Sequence, residues 1–509
     1  MRRPGGLLVS AVLGSAAGLA AQDSRPSAQV IAGAVDSLAR RIVSAGLTPG
    51  LGVAIVMDGR TILSRGYGFA DLTNRVPAEE STLWYVASTS KSFTGFAVSL
   101  LAVQGALEFN QSIATLLPGA RWHPEVDPTK LTLASFLSHT HSLNDDVIVT
   151  SAAFTGEIPE ARWPELLRYA TPRGSAHLVY SNLGYNVAAM VIDATQPEGW
   201  RHYLDSAVYR PAGLGDTYAR VSGLDRRRIA MPHELHPDGS FTTATFFKTD
   251  ATMNSAGGHL ATLHDLARWV VVQMDGGILD GRRVFPAPVV ALSHRMIAPQ
   301  TVAASKRFTY FDRAGWGAGW DLGGYAGEPM VSRFGSYSSI RSHLSFLPGR
   351  RIGVVAQVNG GMGITADLVA AFAYDFEAGR PNARGAAEQR LEELVARFSN
   401  ARRQVATSDS VRAARQRPMS RPLADFAGTY EHEAFGKIRF ELRGNTLHYR
   451  WGAIFGAAEI FDAEKHVLRI EIAGSGNTVG FSFSGSGPAR AIQLMERTFV
   501  RAAPTGGAR

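Results

Sequence analysis

The chain has 509 residues, 45% of them hydrophobic and 19% charged, which allows one large domain with a buried core and a smaller second domain. The formal net charge of +8 raises nucleic acid as a partner, but the basic residues are dispersed and form no recognisable nucleic-acid module. Because cysteine is absent, the composition excludes disulfides and lipidation at a cysteine.

The N-terminal residues 1–21 have the pattern of a secretory signal peptide. Arg2 and Arg3 provide a positive start, residues 7–19 form an apolar run, and residues 18–20 form a small-x-small cleavage site. The run is too short to anchor the chain in a bilayer. We therefore expect a secreted or periplasmic protein that keeps no stable membrane anchor after cleavage.

The first predicted elements are a helix and a hairpin. Hydrophobic periodicity indicates a helix over residues 30–45. Residues 51–57 and 60–65 are expected to form two antiparallel strands, because the Asp58-Gly59 dipeptide between them is a strong turn signal. The long apolar stretch that follows predicts a helix packed on this sheet.

That stretch, residues 84–96, carries the first candidate for chemistry. Apolar and aromatic residues lead into Ser88, and Lys91 follows three residues later, so on a helix both side chains lie on one face. A serine nucleophile needs a neighbour that takes its proton, and a lysine among apolar residues can lose its charge and do so. Taken alone, the pair is explained better by a helix-capping serine followed by a solvated lysine.

A second motif is the pair of histidines His139 and His141, which suggests zinc. The acid and the further histidine that such a site needs are missing, because Leu143 and Asn144 occupy their positions. We therefore prefer structural histidines at a helix end, and we predict no metal and no organic cofactor.

Tyr180 and Asn182 form the third candidate, at the entrance to the apolar run of residues 187–192. A tyrosinate beside an ammonium has a lowered pKa and can act as a base. A packed tyrosine beside a helix-capping asparagine is the alternative. Neither residue decides between the two on its own.

The rest of the chain reads as antiparallel sheet, a helical connection and a small β domain. The predicted strands and the closing helix of the first part are residues 316–322, 329–335, 343–347, 352–358 and 364–376. A helix is expected at residues 388–405 and a linker at residues 412–418. Short alternating strands between residues 425 and 501 predict an all-β sandwich or barrel.

Four stretches, in this order, resemble the serine β-lactamase and penicillin-binding-protein superfamily, in particular its class C β-lactamase-related hydrolases. Residues 87–94 resemble the S-x-x-K motif, residues 137–140 the "LLSHTSGL" segment, residues 180–182 the Y-x-N motif and residues 255–265 the "AGGL.ST..D" turn. The resemblance covers roughly residues 30–378. That branch contains esterases, D-aminopeptidases and D-alanyl-D-alanine carboxypeptidases.

The resemblance implies an α+β fold, an α/β sandwich of antiparallel sheet flanked by helices, with an all-helical subdomain. We expect this β-lactamase-like serine hydrolase domain at residues 28–380. A helical linker at residues 381–422 would join it to a C-terminal β-barrel-like domain at residues 423–505. The segment at residues 426–430 is similar to domains often appended to such hydrolases.

The resemblance also assigns roles. It implies that Ser88 is the nucleophile, that Lys91 is its activating partner and that Tyr180 is the general base. Asn182 would contact a substrate amide or the lysine.

The family has a further motif, K-T-G or H-x-G, which is its third catalytic motif. This chain departs from it, since the corresponding residues are Arg333, Phe334 and Gly335. Gly335 keeps the close approach of backbone and substrate. The backbone N–H groups of Ser336 and Ser88 are expected to form the oxyanion hole. Arg333 keeps a cation that is never a proton donor near neutral pH. We expect it to hold a substrate carboxylate at the pocket edge, which Phe334 narrows.

These observations predict an exported serine hydrolase that cleaves an ester or amide bond, of peptide or β-lactam type, through a Ser88 acyl-enzyme. Its substrate would be a small molecule or a peptide, with ester or peptide hydrolysis favoured over β-lactam hydrolysis. The absence of a G-x-S-x-G elbow disfavours an α/β-hydrolase. The alternative is a catalytically weakened penicillin-binding-like or sensor protein. The sequence indicates no oligomeric state.

Overall fold

The structure is a computed structural model. The residues that it describes are 25–144, 146–174, 178–244, 247–306, 309–415 and 418–503. The signal peptide expected at residues 1–21 lies outside them. Within these ranges, no helix has the length and apolar character needed to cross a membrane.

The helices fall into three groups: those that flank the sheet, those of a helical subdomain and one long connecting helix. The α-helices are Ala28–Ser44, Ser90–Val103, Ile113–Leu116, Leu133–Leu137, Asp146–Thr150, Trp163–Leu166, Leu183–Thr195, Trp200–Leu204, Leu263–Met274, Ala287–Ser293, Val302–Ser305, Thr365–Glu377 and Ala383–Ala414. The subdomain consists of the helices between residues 113 and 209, whose apolar side chains share one core with the sheet.

The central sheet of the first domain is antiparallel throughout. In spatial order its strands are Ala298–Pro299, Asp312–Trp316, Asp321–Tyr325, Glu328–Tyr337, Ile340–Leu347, Ile352–Val358, Gly50–Met57, Arg60–Asp71 and Val76–Pro77. The N-terminal hairpin therefore joins the later strands through the pairing of Gly50–Met57 with Ile352–Val358. Small two- and three-stranded sheets complete the domain: Trp84–Tyr85 with Leu260–Ala261 and Thr217–Tyr218, His233–Leu235 with Phe241–Thr243, and Ile278–Leu279 with Arg282–Arg283.

Both faces of this sheet are covered, as the side chains of the central strand show. Val53 and Ile55 point into a core formed with the helices Ala28–Ser44 and Thr365–Glu377. Ala54 and Val56 point into the opposite core, which the helices Ser90–Val103 and Leu263–Met274 complete. Alternation with period two thus places successive residues on opposite faces. This arrangement confirms the expected α+β sandwich.

One predicted strand is interrupted. The sequence pattern gave a single strand over residues 316–322, but residues 317–320 form a turn between Asp312–Trp316 and Asp321–Tyr325. Gly319 has a φ of 89°, and a Cβ there would lie 2.2 Å from the carbonyl oxygen of Lys91. The turn is therefore pressed against the start of the helix Ser90–Val103, a tertiary contact that local periodicity does not reveal.

The connecting helix is longer than expected. It runs over Ala383–Ala414, whereas the sequence indicated a helix only at residues 388–405. No proline interrupts it, and its first half buries Leu391, Leu394 and Phe398 against the core beneath Thr365–Glu377. The predicted linker at residues 412–418 is thus partly helical.

The C-terminal domain is a single curved antiparallel sheet. Its spatial order is Ile454–Ala457, Thr446–Trp451, Gly436–Arg443, Gly428–His432, Arg497–Arg501, Ala491–Leu494, Ser475–Ser482, Val467–Ile472 and Glu459–Asp462. The two outermost strands are neighbours in the chain, so the sheet forms a nearly closed barrel, one of the two expected forms. Two of its backbone N–H groups donate hydrogen bonds to the first domain. That of Lys437 donates to Glu157 Oε2 at 2.9 Å, and that of Ala453 donates to the carbonyl oxygen of Thr155 at 2.8 Å.

Candidate active site

Ser88 lies on a tight turn before a helix. The strand Trp84–Tyr85 is anchored by pairing with Leu260–Ala261 and leads into the 3-10 turn Ala87–Thr89. The α-helix begins only at Ser90, so Ser88 lies on the 3-10 turn and not within the α-helix that carries Lys91. Ala87 has a φ of 46°, a left-handed conformation that costs an L-residue about 1–2 kcal/mol. This strained turn carries Ser88 to a cavity wall.

The side chains of Lys91 and Tyr180 meet at the hydroxyl of Ser88. Lys91 Nζ donates to Ser88 Oγ at 3.2 Å, and Tyr180 OH donates to it at 2.7 Å. Lys91 is fully buried and also donates to Asn182 Oδ1 and to Ala256 O, each at 2.6 Å. The solvated lysine that the sequence left open is therefore excluded, and the S-x-x-K and Y-x-N motifs form one site.

The protonation equilibria of these groups are shifted from their usual positions. Burial lowers the pKa of Lys91 to about 8, with Tyr180 opposing and Arg333 adding to this change. Burial alone would raise the pKa of Tyr180, but the cations of Lys91 and Arg333 and the bond to Ser88 lower it overall. The phenol is thus poised to release its proton more readily than a free tyrosine.

Arg333 is not at the pocket edge where the sequence suggested a carboxylate-binding residue. Its side chain is 2% exposed, and its three nitrogens donate to protein acceptors. Nε bonds Ser88 O at 2.9 Å, Nη1 bonds Asp321 Oδ2 at 3.3 Å and Nη2 bonds Tyr180 OH at 3.1 Å. The guanidinium also lies over the ring of Trp316, 5.0 Å from its centroid. Arg333 therefore lies behind the tyrosine and fixes a positive charge there.

The strand that carries Arg333 also brings Gly335 and Ser336 to Ser88. Its pairing with Asp321–Tyr325 ends at Ser332, which leaves the following residues open on that edge. A Cβ on Gly335 would lie 2.2 Å from Val86 O and 3.0 Å from Ser88 N, so only glycine fits. Ser336 and Ser88 line the same cavity.

Phe334 does not narrow this cavity, contrary to the expectation. It belongs to the core on the other face of the sheet. There its ring lies under the guanidinium of Arg313, 4.1 Å from the carbon of that group, and contacts His343 edge-on. Alternation along the strand explains the difference, because residues 334 and 333 point to opposite faces.

The two histidines of the H-x-H pair are buried and pack against aromatic rings. The His139 ring packs 4.6 Å from that of Tyr180, and its Nδ1 accepts the N–H of Ser181 at 3.2 Å. His141 stacks on Phe136. Among the described residues, no group of three or more His, Asp or Glu side chains could hold a metal ion. His139 thus supports the tyrosine by packing.

Ser88 opens onto a cavity of about 360 Å³ that both domains line. Asn182, Asn186 and Ser336 line it from the first domain. The C-terminal barrel contributes Ile472, Ala473, Ser475, Asn477 and Met495. The turn between the strands Val467–Ile472 and Ser475–Ser482 therefore forms part of the wall beside Ser88, which the sequence did not suggest.

Several residues of the site carried no readable sequence signal. Asp321 pairs with Arg333, Trp316 packs 5.6 Å from the ring of Tyr180, and Lys248 lines the cavity. None lies in a recognised motif. Asp321 and Trp316 come together with the site only through the interrupted strand described above.

The arrangement can perform nucleophilic chemistry. A serine hydroxyl bonded to a tyrosine of lowered pKa and to a buried lysine has two groups that can share its proton. The backbone N–H of Ser88 lies beside the open edge of the strand Glu328–Tyr337, where N–H donors can stabilise an oxyanion. No step requires a metal.

Comparisons with known proteins identify the family and the fold of the chain. Residues 35–378 match the family model described as "Beta-lactamase". "Protein flp" of Staphylococcus aureus is 21% identical over 330 residues, which are 64% of this chain and 62% of that protein. The chain thus spans less than two thirds of the length of the first curated relatives that it matches.

Two solved structures show the fold. An octameric penicillin-binding protein homologue from Pyrococcus abyssi superposes with a TM-score of 0.58 at 16% identity, over 92% of this chain and 99% of that one. The D-amino acid amidase from Ochrobactrum anthropi SV3 superposes with a TM-score of 0.57 at 18% identity, over 69% of this chain and 99% of that one. The first match extends over both domains.

Proposed function

Because the chain belongs to the beta-lactamase family, we propose that it is a serine hydrolase that cleaves ester or amide bonds of small molecules or peptides through an acyl-enzyme on Ser88. The observation that carries this proposal is the convergence of Lys91 and Tyr180 on Ser88 Oγ, at 3.2 and 2.7 Å, beside a 360 Å³ cavity. The similarity to an amidase in fold supports amide or ester substrates.

In the proposed acylation, Tyr180 in its ionised form takes the proton of Ser88 as the oxygen attacks the carbonyl carbon. Lys91, held by Asn182 Oδ1 and Ala256 O, stabilises the negative charge on the tyrosine and keeps the hydroxyl in place. The tyrosine then passes the proton to the leaving alkoxide or amine. The backbone N–H groups of Ser88 and Ser336 hold the oxyanion.

Deacylation repeats these roles with water as the nucleophile. Tyr180 accepts a proton from the water, and Ser88 Oγ leaves and is reprotonated. Arg333 assists in both halves by its fixed charge, since its Nη2 lies 3.1 Å from the phenolic oxygen. We assign it this electrostatic role in place of the contact with a substrate carboxylate.

A second serine has the geometry of a Ser-His-Asp triad and must be considered as a rival. Ser345 Oγ lies 2.7 Å from His343 Nε2, and His343 Nδ1 lies 2.8 Å from Asp367 Oδ1. Ser345 and His343 are fully buried, however, and Ser345 also bonds Tyr374 OH at 2.6 Å. No substrate carbonyl can reach it, so this group is structural.

Export remains part of the proposal, on the pattern of residues 1–21. N-terminal sequencing of protein recovered from the periplasm or medium should give a start close to Ala21. Intact Met1 on cytoplasmic protein would contradict export without affecting the proposed chemistry.

A substrate screen tests the hydrolase function. Purified protein is assayed with p-nitrophenyl esters, D-amino acid amides and the β-lactam nitrocefin, beside Ser88→Ala and the matched control Ser345→Ala. We expect turnover of at least one class that Ser88→Ala loses and Ser345→Ala keeps. A burst of acylation without turnover would favour the weakened penicillin-binding-like alternative, and activity that survives in Ser88→Ala would refute the assignment.

A further inference from the structure

Lys248 lies on the wall of the Ser88 cavity and has no role in the proposed mechanism. Its side chain is nearly buried, with the residue 5% exposed. Of the described residues that line the cavity, the ionisable ones are Lys248 and two tyrosines, Tyr85 and Tyr337. Among those residues the cavity therefore has one lysine amine and no carboxylate.

The direct contacts of the Lys248 amine favour its charged form, whereas its burial disfavours that form. Nζ donates to the carbonyl oxygen of Ala153 and, at 3.4 Å, to that of Thr252. It also lies over the ring of Tyr337, 3.8 Å from the centroid, and within 6 Å of the rings of Tyr85 and Phe154. Carbonyl oxygens and aromatic faces attract a cation and offer little to a neutral amine.

Among the described residues, no carboxylate offsets this charge. Burial alone accounts for the lowered pKa of Lys248, with no charged group contributing. A buried ammonium without an anionic partner is costly, and proteins normally pair such a group. A ligand that brings a carboxylate into the cavity would supply that partner in a region of low dielectric constant, where the attraction is strong.

We propose that Lys248 is a specificity-determining residue that receives a carboxylate of the substrate in the Ser88 cavity. The inference rests on the proposed hydrolase function and adds a substrate class to it: esters or amides that carry a carboxylate away from the scissile bond. Lys248 is separate from the third motif, because Arg333 does not line this cavity and its nitrogens bond protein groups.

Matched esters test this assignment. The substrates are the p-nitrophenyl half-ester of adipic acid and the same compound with its free acid methylated, assayed with wild type, Lys248→Met and Lys248→Arg. Methionine keeps the length of the chain and removes the charge. We expect Lys248→Met to lower kcat/KM for the free acid about 30-fold, as for the loss of one charged hydrogen bond, and to change the methyl ester less than about threefold. Lys248→Arg should keep part of the preference.

A second pair of substrates locates the carboxylate. 3-Acetoxybenzoate and its methyl ester place the charge on the leaving group instead of the acyl chain. A Lys248-dependent preference for either free acid supports the proposal and tells which part of the substrate enters the cavity. An equal loss on charged and neutral esters, or an unchanged preference in Lys248→Met, would overturn it.

Two further measurements are needed, one that requires no variant to fold and one that requires no turnover. With wild type alone, adipate should inhibit hydrolysis of a neutral ester competitively, and dimethyl adipate should not. With Ser88→Ala, calorimetry should detect adipate binding that the double variant Ser88→Ala/Lys248→Met lacks. Absence of both effects would refute the carboxylate site, whereas absence of Ser88-dependent hydrolysis with intact adipate binding would refute only the hydrolase function.

Discussion

Replacing Arg333 by methionine should move the pH dependence of the reaction. The guanidinium lies 3.1 Å from Tyr180 OH and stabilises its ionised form. Without it the pKa of Tyr180 rises, and because the ionised tyrosine is the active form, the rise of kcat/KM with pH moves to higher pH. Activity should therefore fall most at neutral pH and recover in alkaline buffer.

The structure gives the size of this effect. A unit charge about 4 Å from a phenolate stabilises it by about 4 kcal/mol at an effective dielectric constant of about 20. Asp321 Oδ2, 3.3 Å from Arg333 Nη1, offsets part of that attraction. If about 2 kcal/mol remains, kcat/KM at neutral pH should fall about 30-fold. Arg333→Lys keeps the charge and should lose less.

The assay is the pH profile of kcat/KM for a neutral ester, measured by a pH-stat for wild type, Arg333→Met and Arg333→Met/Asp321→Asn. The double variant avoids leaving the Asp321 carboxylate in the core without this partner. An equal loss of kcat/KM at every pH would show that Arg333 acts only through its hydrogen bond to the carbonyl oxygen of Ser88. That result would refute the electrostatic argument. A loss confined to carboxylate-bearing substrates would restore the role expected from the sequence.

Three further changes have distinct expected results. Lys91→Met should lower kcat/KM by about 10²- to 10⁴-fold while thermal unfolding shows the fold intact, and near-normal activity would exclude Lys91 from proton transfer. Gly335→Ala should lose about 1–3 kcal/mol of stability in denaturant unfolding, since its Cβ would meet Val86 O at 2.2 Å, whereas the control Gly349→Ala meets nothing within 4 Å and should be neutral. Met495→Trp should reduce kcat/KM for long acyl esters more than for acetyl esters; an equal effect on both would mean that the barrel does not bound the substrate.

How far the sequence predicts the molecule depends on the range of the interactions involved. The spacing of Ser88 and Lys91 is local, and the resemblance added Tyr180, so the sequence alone named the three groups that the structure brings together. The nearly continuous apolar runs of residues 51–57 and 352–358 likewise predicted real strands, because a strand buried on both faces has apolar residues at almost every position.

The errors have tertiary causes. The direction of the Arg333 side chain, towards the cavity or towards Tyr180, depends on its ion pair with Asp321 on the neighbouring strand. The strand broken at residues 317–320 bends because the helix Ser90–Val103 lies against it. The part of the cavity wall that comes from the C-terminal barrel, and the carbonyl and aromatic groups around the Lys248 amine, bring together residues that are far apart in the chain. No periodicity or motif in the sequence indicates such contacts.

Covalent labelling tests the central claim most directly. Protein treated with a fluorophosphonate is digested, and the modified peptide is identified by mass spectrometry, with Ser88→Ala and Ser345→Ala in parallel. The site geometry predicts one adduct on Ser88, absent from Ser88→Ala and present in Ser345→Ala, and formed more slowly in Lys91→Met. An adduct on another serine, or labelling that persists in Ser88→Ala, would contradict the assignment of Ser88 as the nucleophile.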